Sequence, residues 1–98
     1  MAEHAVTTSI GRLLTARGAW WFKTHGAGAS RAGIPDILAV YRGRALALEI
    51  KAPGRTPTRL QAHTLARAAA AGATAACITD KKNLTEILDA IDHEMGDT

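Results

Sequence analysis

The chain has 98 residues, 47% of them hydrophobic, which predicts one globular domain over residues 1–98. It contains no apolar run of about 18 residues and no basic start followed by an apolar segment, so we expect neither a membrane span nor a signal peptide. The single cysteine, Cys77, excludes an intrachain disulfide and a thiolate-based zinc site, and it favours a reducing, cytoplasmic location.

Charge is distributed unevenly along the chain, although the net charge is only +3. Residues 12–67 carry ten basic side chains and two acids, Asp36 and Glu49, whereas residues 80–98 carry six acids and two lysines. A basic body favours a polyanion such as nucleic acid, because each neutralised phosphate releases counterions. The alternative is a solvated basic surface without a partner. The two acids isolated within the basic stretch are the first candidates for a functional site.

Hydrophobic periodicity and turn residues predict an α/β chain with the element order α-β-β-β-α-β-α. The predicted helices cover residues 2–17, 57–71 and 84–95, and the predicted strands cover residues 19–24, 36–41, 44–51 and 74–79. Thr56 is the predicted N-cap of the second helix, with Pro57 at its first position. Asn83, followed by Glu86 three residues later, resembles a capping box for the third helix.

The second and third strands give the most informative prediction. Arg42-Gly43 between them predicts a two-residue hairpin turn, in which the numbers of paired residues sum to 85. Asp36 and Glu49 then lie directly opposite each other with Cβ atoms about 5 Å apart, and Lys51 shares their face. A three-residue turn would move every side chain of the strand to the other face. The alternative is an ordinary hairpin whose charged residues face solvent. The residues expected to point into the core are Leu46, Leu48 and Ile50.

Two opposed carboxylates repel each other, and either a shared proton or a bound cation relieves the repulsion. Mg²⁺ commonly binds one or two carboxylates together with waters and phosphate oxygens. Asp36 and Glu49 are therefore candidate metal ligands, and the backbone carbonyl of Ile50 is a further one. Lys51 is placed to orient or deprotonate an attacking water and to stabilise charge at a phosphate. This constellation predicts metal-dependent hydrolysis of phosphodiester bonds.

The same residues carry a family resemblance. Gly33-Ile34-Pro35-Asp36 followed by Glu49-Ile50-Lys51 resembles the motif of the PD-(D/E)XK nucleases, and the setting is similar to the VRR-NUC branch. The resemblance implies a restriction-endonuclease-like core, with a mixed central sheet flanked by helices, that cleaves DNA with Mg²⁺ or with Mn²⁺ in its place. Stand-alone, phage-type members are similar to homodimeric nucleases that act on branched DNA, including four-way (Holliday) junctions. No membrane and no nucleotide cofactor are implied.

Two further site residues are expected from this resemblance. Glu3 corresponds to an early helical acid that reaches the metal, and it continues the helical stripe of Val6 and Ile10. The alternative is an acid favoured by the dipole at a helix N-terminus. Gln61 corresponds to a helical Gln that joins the catalytic group by bonding Lys51, a water or a phosphate. The alternative is an exposed Gln in the first turns of the helix.

Basic residues around the motif are candidate DNA contacts, although each is individually also explained as a solvated surface charge. The glycine-rich loop over residues 25–33 is expected to guide DNA, with Arg31 on a phosphate; the alternative is a flexible connector. Of Trp20 and Trp21, which alternate across a strand, one is expected in the core and the other against a partner subunit or a base. Other functions left open are a nicking, flap or restriction-type nuclease and a vestigial DNA-binding module. The predicted DNA contacts are Lys23, His25, Arg31, Arg42, Arg55 and Arg59.

Overall fold

The computed structural model describes residues 2–24 and 32–96. The element order is α-β-β-β-α-β-α, which confirms the predicted α/β class and order. Boundaries differ from the predicted ones by one or two residues in most elements. The helices and strands are α1 (Glu3–Ala16), β1 (Trp20–Lys23), β2 (Ile37–Tyr41), β3 (Arg44–Ile50), α2 (Arg59–Ala70), β4 (Thr74–Ile78) and α3 (Lys81–Glu94).

The strands form one mixed sheet in the order β1-β2-β3-β4. β1 pairs with β2 and β2 with β3 in antiparallel fashion, whereas β3 and β4 are parallel. The parallel pair follows from the chain: a parallel neighbour needs a crossover connection, and α2 is that connection. The carboxyl ends of β3 and β4 therefore lie side by side at one end of the sheet.

One face of the sheet carries the hydrophobic core, packed under α1 and α3. The alternation of β3 is as predicted, since Leu46, Leu48 and Ile50 belong to the core cluster whereas Ala47, although also buried, does not. Trp21 packs against this core from β1, whereas Trp20 does not. α2 packs on β3 and β4 and contributes no residue to this core cluster, so it covers the other face. The core cluster includes Val6, Ile10, Leu14, Ile37, Leu46, Leu48, Ile50, Leu84, Leu88 and Ile91.

The predicted caps of the second and third helices are wrong. Thr58, not Thr56, caps α2: its hydroxyl accepts from the Gln61 backbone N–H, and the Gln61 side chain accepts from the Thr58 N–H. This reciprocal pair satisfies two donors that the helix start leaves unpaired. Asp80 caps α3 by accepting from the Asn83 N–H. The Asn83 side chain instead accepts from the backbone N–H of Thr79, and so it ties the helix start to β4.

Within the described ranges, no helix is both long enough and apolar enough to cross a membrane.

Candidate metal centre at the end of the hairpin

The hairpin register is the one that the two-residue turn predicts. Tyr41 pairs with Arg44 and Ile37 with Leu48, so the paired numbers sum to 85 along the whole ladder. Both turn residues are left-handed, with φ of 51° at Arg42 and 83° at Gly43. That combination defines the tight turn whose twist matches that of the flanking strands. The next pair beyond the assigned strand is Asp36 with Glu49.

Asp36 is fixed in place by the backbone on both sides. Its Oδ2 accepts a 2.8 Å hydrogen bond from the backbone N–H of Ile50, the residue after Glu49. Its own carbonyl accepts from the backbone N–H of Thr24, which follows β1, at 2.9 Å. Pro35, immediately before it, is buried. The first carboxylate of the motif is thus held at the point where β1, β2 and β3 meet.

Glu49 is a buried acid without full hydrogen bonding. Only 1% of the residue is exposed, and its Oε1 has no hydrogen-bond partner within the described ranges. Burial raises the pKa of Glu49 to about 8, the adjacent Asp36 carboxyl adds to the rise, and the Lys51 charge opposes it. Buried polar atoms are nearly always paired, so an orphaned carboxylate oxygen calls for an absent partner. A hard cation bound between the two carboxylates is such a partner, and the oxygen donors present suit one.

Lys51 follows the end of β3 and stays anchored to the sheet. Its backbone N–H donates to the Ile78 carbonyl at 3.0 Å, which extends the parallel pairing by one residue. The side chain is half-buried, and its charge acts on Glu49. The Ile50 carbonyl lies between the two motif residues, and its role as a ligand stays a prediction. Asp36, Glu49 and Lys51 are therefore brought together as expected.

Glu3 and Gln61 are placed less directly than expected. Glu3 is exposed in the first turn of α1 and does not continue the buried stripe. Its charge makes the weakest contribution to the raised pKa of Glu49. Across residues 2–24 and 32–96, no three His, Cys, Asp or Glu side chains are grouped closely enough to hold a metal ion. Gln61 has its Oε1 engaged in the α2 cap, so in this structure it is a capping residue.

The predicted DNA contacts fall into three groups. Lys23, Arg55 and Arg59 are exposed, at the end of β1, in the loop after β3 and at the start of α2. Arg42 lies at the hairpin turn, six residues or about 20 Å along the strand from Asp36, and it pairs with Asp92 at 3.1 Å. His25 and Arg31 lie outside the described residues.

Cys77 is a neighbour of the site that the sequence did not indicate. It pairs with Glu49 across the parallel β3–β4 ladder, which places its side chain on the same face of the sheet. Burial raises the pKa of the Cys77 thiol, and the Glu49 charge adds to the rise. The thiol is therefore protonated and uncharged at neutral pH, and it lines the site without adding charge. No local signal marks this contact, because it depends on the length of the α2 crossover.

Fold and site together define a class: an α/β domain that presents two opposed carboxylates and a lysine at the end of a mixed sheet. A solved structure described as a VRR_NUC domain superposes on 89% of this chain and on 94% of its own length, with a TM-score of 0.74 and 22% sequence identity. This chain therefore has the fold of the VRR_NUC domain. No protein-family model and no curated protein matches the sequence.

Proposed function

We propose that this chain is a metal-dependent DNA endonuclease of the VRR-NUC branch of the PD-(D/E)XK nucleases. One observation carries the proposal: the buried Glu49 faces Asp36 at the end of the hairpin, and its Oε1 has no partner among residues 2–24 and 32–96. A carboxylate pair of this kind costs stability unless a shared proton or a bound cation joins it, and the cation is the partner that gives the pair a chemical role. The motif residues and the VRR_NUC fold support the same conclusion.

Asp36 and Glu49 would hold Mg²⁺, or Mn²⁺ in its place, with the Ile50 carbonyl and Glu3 as further oxygen donors. Bound there, the ion supplies an activated water and a charge that stabilises the phosphate. The Ile50 N–H keeps one oxygen of Asp36 oriented, which leaves the other to face Glu49. Lys51 orients the water and donates to the phosphate. Gln61 would hydrogen-bond the phosphate only after its amide turns away from the α2 cap.

DNA is the proposed substrate because the chain segments that adjoin the site carry exposed cations. Lys23, Arg55 and Arg59 lie on three segments that end or begin near it. Phosphate contacts of this kind give binding that weakens steeply with salt.

Branched DNA and a homodimer complete the proposal. The uncovered half of the sheet exposes Trp20 (64%), Phe22 (42%) and Val40 (43%), with the two aromatic rings 5.3 Å apart edge to face. Trp20 pairs with Val40 across the ladder, so these side chains share one apolar face. A second copy bound to this face would provide two active sites for the two incisions that a four-way junction needs.

Sedimentation tests the dimer. It should give a dimer for the wild type and a monomer for a Trp20→Ser/Phe22→Ser variant. A wild-type monomer at tens of micromolar would remove the dimer from the proposal.

The experiment for the activity compares an end-labelled four-way junction with its matching linear duplex, in Mg²⁺ and in EDTA. Paired cuts confined to the junction and dependent on Mg²⁺ are expected. Equal cutting of both substrates would keep the nuclease and exclude the junction preference. No cutting in Mg²⁺ or Mn²⁺ would exclude the nuclease and favour a DNA-binding module.

A further inference from the structure

A groove between α1 and β1 lies apart from the carboxylate pair. Its cavity measures about 510 Å³, and its walls include Thr7, Gly11 and Arg12 from α1 and Trp21 and Lys23 from β1. We call it the α1–β1 groove. A volume of this size suits one small organic group and not a double helix.

The groove is built by the close approach of Trp21 to α1. The indole Nε1 donates a 2.9 Å hydrogen bond to the Thr15 hydroxyl, which fixes the ring along the helix. A Cβ on Gly11 would lie 2.7 Å from the ring atom Cη2, so only glycine permits this approach. The aromatic wall is therefore held in place before any ligand arrives.

The groove is cationic. Arg12 and Lys23 are exposed, neither forms an ion pair with residues 2–24 or 32–96, and no described residue that lines the cavity is acidic. An aromatic wall between two cations matches a nucleotide, whose base stacks while its phosphates meet the charges. Charge and shape thus favour a nucleic acid strand over an apolar ligand.

The α1–β1 groove does not lie along the path of the DNA strand that is cut. Lys23 pairs with Ile37, the residue that follows Asp36 in the chain, across the spacing of about 4.8 Å between β1 and β2. Cross-strand partners share a face, however, and Ile37 points into the core side of the sheet. Asp36 points to the other side. A strand in the α1–β1 groove therefore starts beside the site but runs along the opposite face.

We propose that the α1–β1 groove binds an unpaired DNA strand that diverges from the duplex at the site, with a base on Trp21 and phosphates on Arg12 and Lys23. This rests on the proposed function, since it names a second element of the same substrate. It gives the protein a direct means of preferring branched over linear DNA. Arg12 and Trp21 are then specificity residues, not catalytic ones.

The test is binding of a short fluorescein-labelled poly-dT oligonucleotide, followed by anisotropy in EDTA so that no cleavage is needed. Arg12→Ala is expected to weaken binding several-fold. It should also reduce the steepness of the slope of log K against log salt concentration by about 0.7, the value for one phosphate contact with a single strand. Arg67→Ala, which removes the same charge from the exposed end of α2, is the matched control and should not change either quantity. Trp21→Leu should weaken binding by about 5- to 100-fold.

A second readout covers the case in which Trp21→Leu does not fold. In a Trp20→Phe protein Trp21 is the remaining tryptophan, and unlabelled poly-dT should quench its fluorescence. Binding without quenching, equal losses in Arg12→Ala and Arg67→Ala, or binding of duplex but not of poly-dT would each overturn the proposal. Because every arm is run in EDTA, a protein that binds as expected yet never cleaves would reject the nuclease and leave the groove assignment standing.

Discussion

The two ends of the β2–β3 hairpin hold carboxylates in opposite electrostatic states. At the turn end, Asp92 of α3 accepts hydrogen bonds from the Tyr41 hydroxyl at 2.6 Å, from Arg17 at 2.8 Å and from Arg42 at 3.1 Å. The Tyr41 hydrogen bond and the two guanidinium groups hold the pKa of Asp92 below its ordinary value. At the other end, burial and the adjacent Asp36 raise the pKa of Glu49 to about 8.

Asp92 is a carboxylate that stabilises the fold, whereas Glu49 is a carboxylate whose burial costs the fold stability. Asp92 joins α1, β2 and α3 through partners that are all present in the chain. Glu49 has only the Asp36 carboxyl as a hydrogen-bond partner for its raised pKa, and its Oε1 is unpaired among the described residues, which is the pattern expected of an acid that serves a site. Removing charge should therefore damage stability at the turn end and activity at the site end.

The largest effect is expected on cleavage. Glu49→Gln and Asp36→Asn should each lower the cleavage rate by about 10³-fold or more, or about 4 kcal/mol of transition-state stabilisation, because each removes a metal ligand. DNA affinity measured in EDTA should stay close to that of the wild type. Retained cleavage in either variant would disprove the assignment of these carboxylates.

The next effect is a pH dependence of stability without metal. The folded pKa of Glu49, about 8, exceeds its ordinary value of 4.5, so the folded protein binds more protons than the unfolded chain between these values. The free energy of unfolding should therefore fall as pH rises from 4.5 to 8, by up to about 1.4 kcal/mol per pH unit. Urea unfolding of the wild type and of Glu49→Gln checks this. A variant with the same slope as the wild type would locate the titration elsewhere.

A smaller loss of stability is expected at the turn end. Asp92→Asn keeps the shape but removes the charge that Arg17, Arg42 and Tyr41 share, so the melting temperature should fall. Its cleavage rate per folded molecule should not change, since the residue lies far from Asp36. The lowered pKa gives the sign: the stabilisation is present above the ordinary pKa of 3.8 and is lost as the pH falls below it. A melting temperature equal to that of the wild type would remove the structural role.

The smallest effect is expected at the start of α2, the helix that follows β3 in the chain. Thr58→Ala should cost about 1 kcal/mol, because it removes the acceptor for the Gln61 N–H. Thr56→Ala is the matched control and should be close to neutral. Equal losses in the two variants would show that the cap is not at Thr58.

The hairpin and its acids could be predicted because the information is local. A two-residue turn fixes the register, and alternation then decides which side chains share a face. The same reasoning placed Leu46, Leu48 and Ile50 in the core.

Other features depend on contacts that no short stretch of sequence contains. Thr56 and Thr58 flank Pro57 equally well, and Gln61 at the third helical position was the signal that favours Thr58. The Asp92 contacts with Arg17 and Arg42 span 75 and 50 residues of chain. A search for isolated cations would therefore count both arginines as free to meet DNA.

The most direct test of the central claim, that Asp36 and Glu49 form a metal site, is the melting temperature as Mn²⁺ is added at constant ionic strength. A ligand that binds only the folded state stabilises it by RT ln(1 + [L]/Kd), so the melting temperature keeps rising as the free Mn²⁺ concentration increases above Kd. The wild type and Asp92→Asn should both respond, each from its own starting value, whereas Asp36→Asn should not. An equal response in Asp36→Asn, or none in the wild type, would contradict the account.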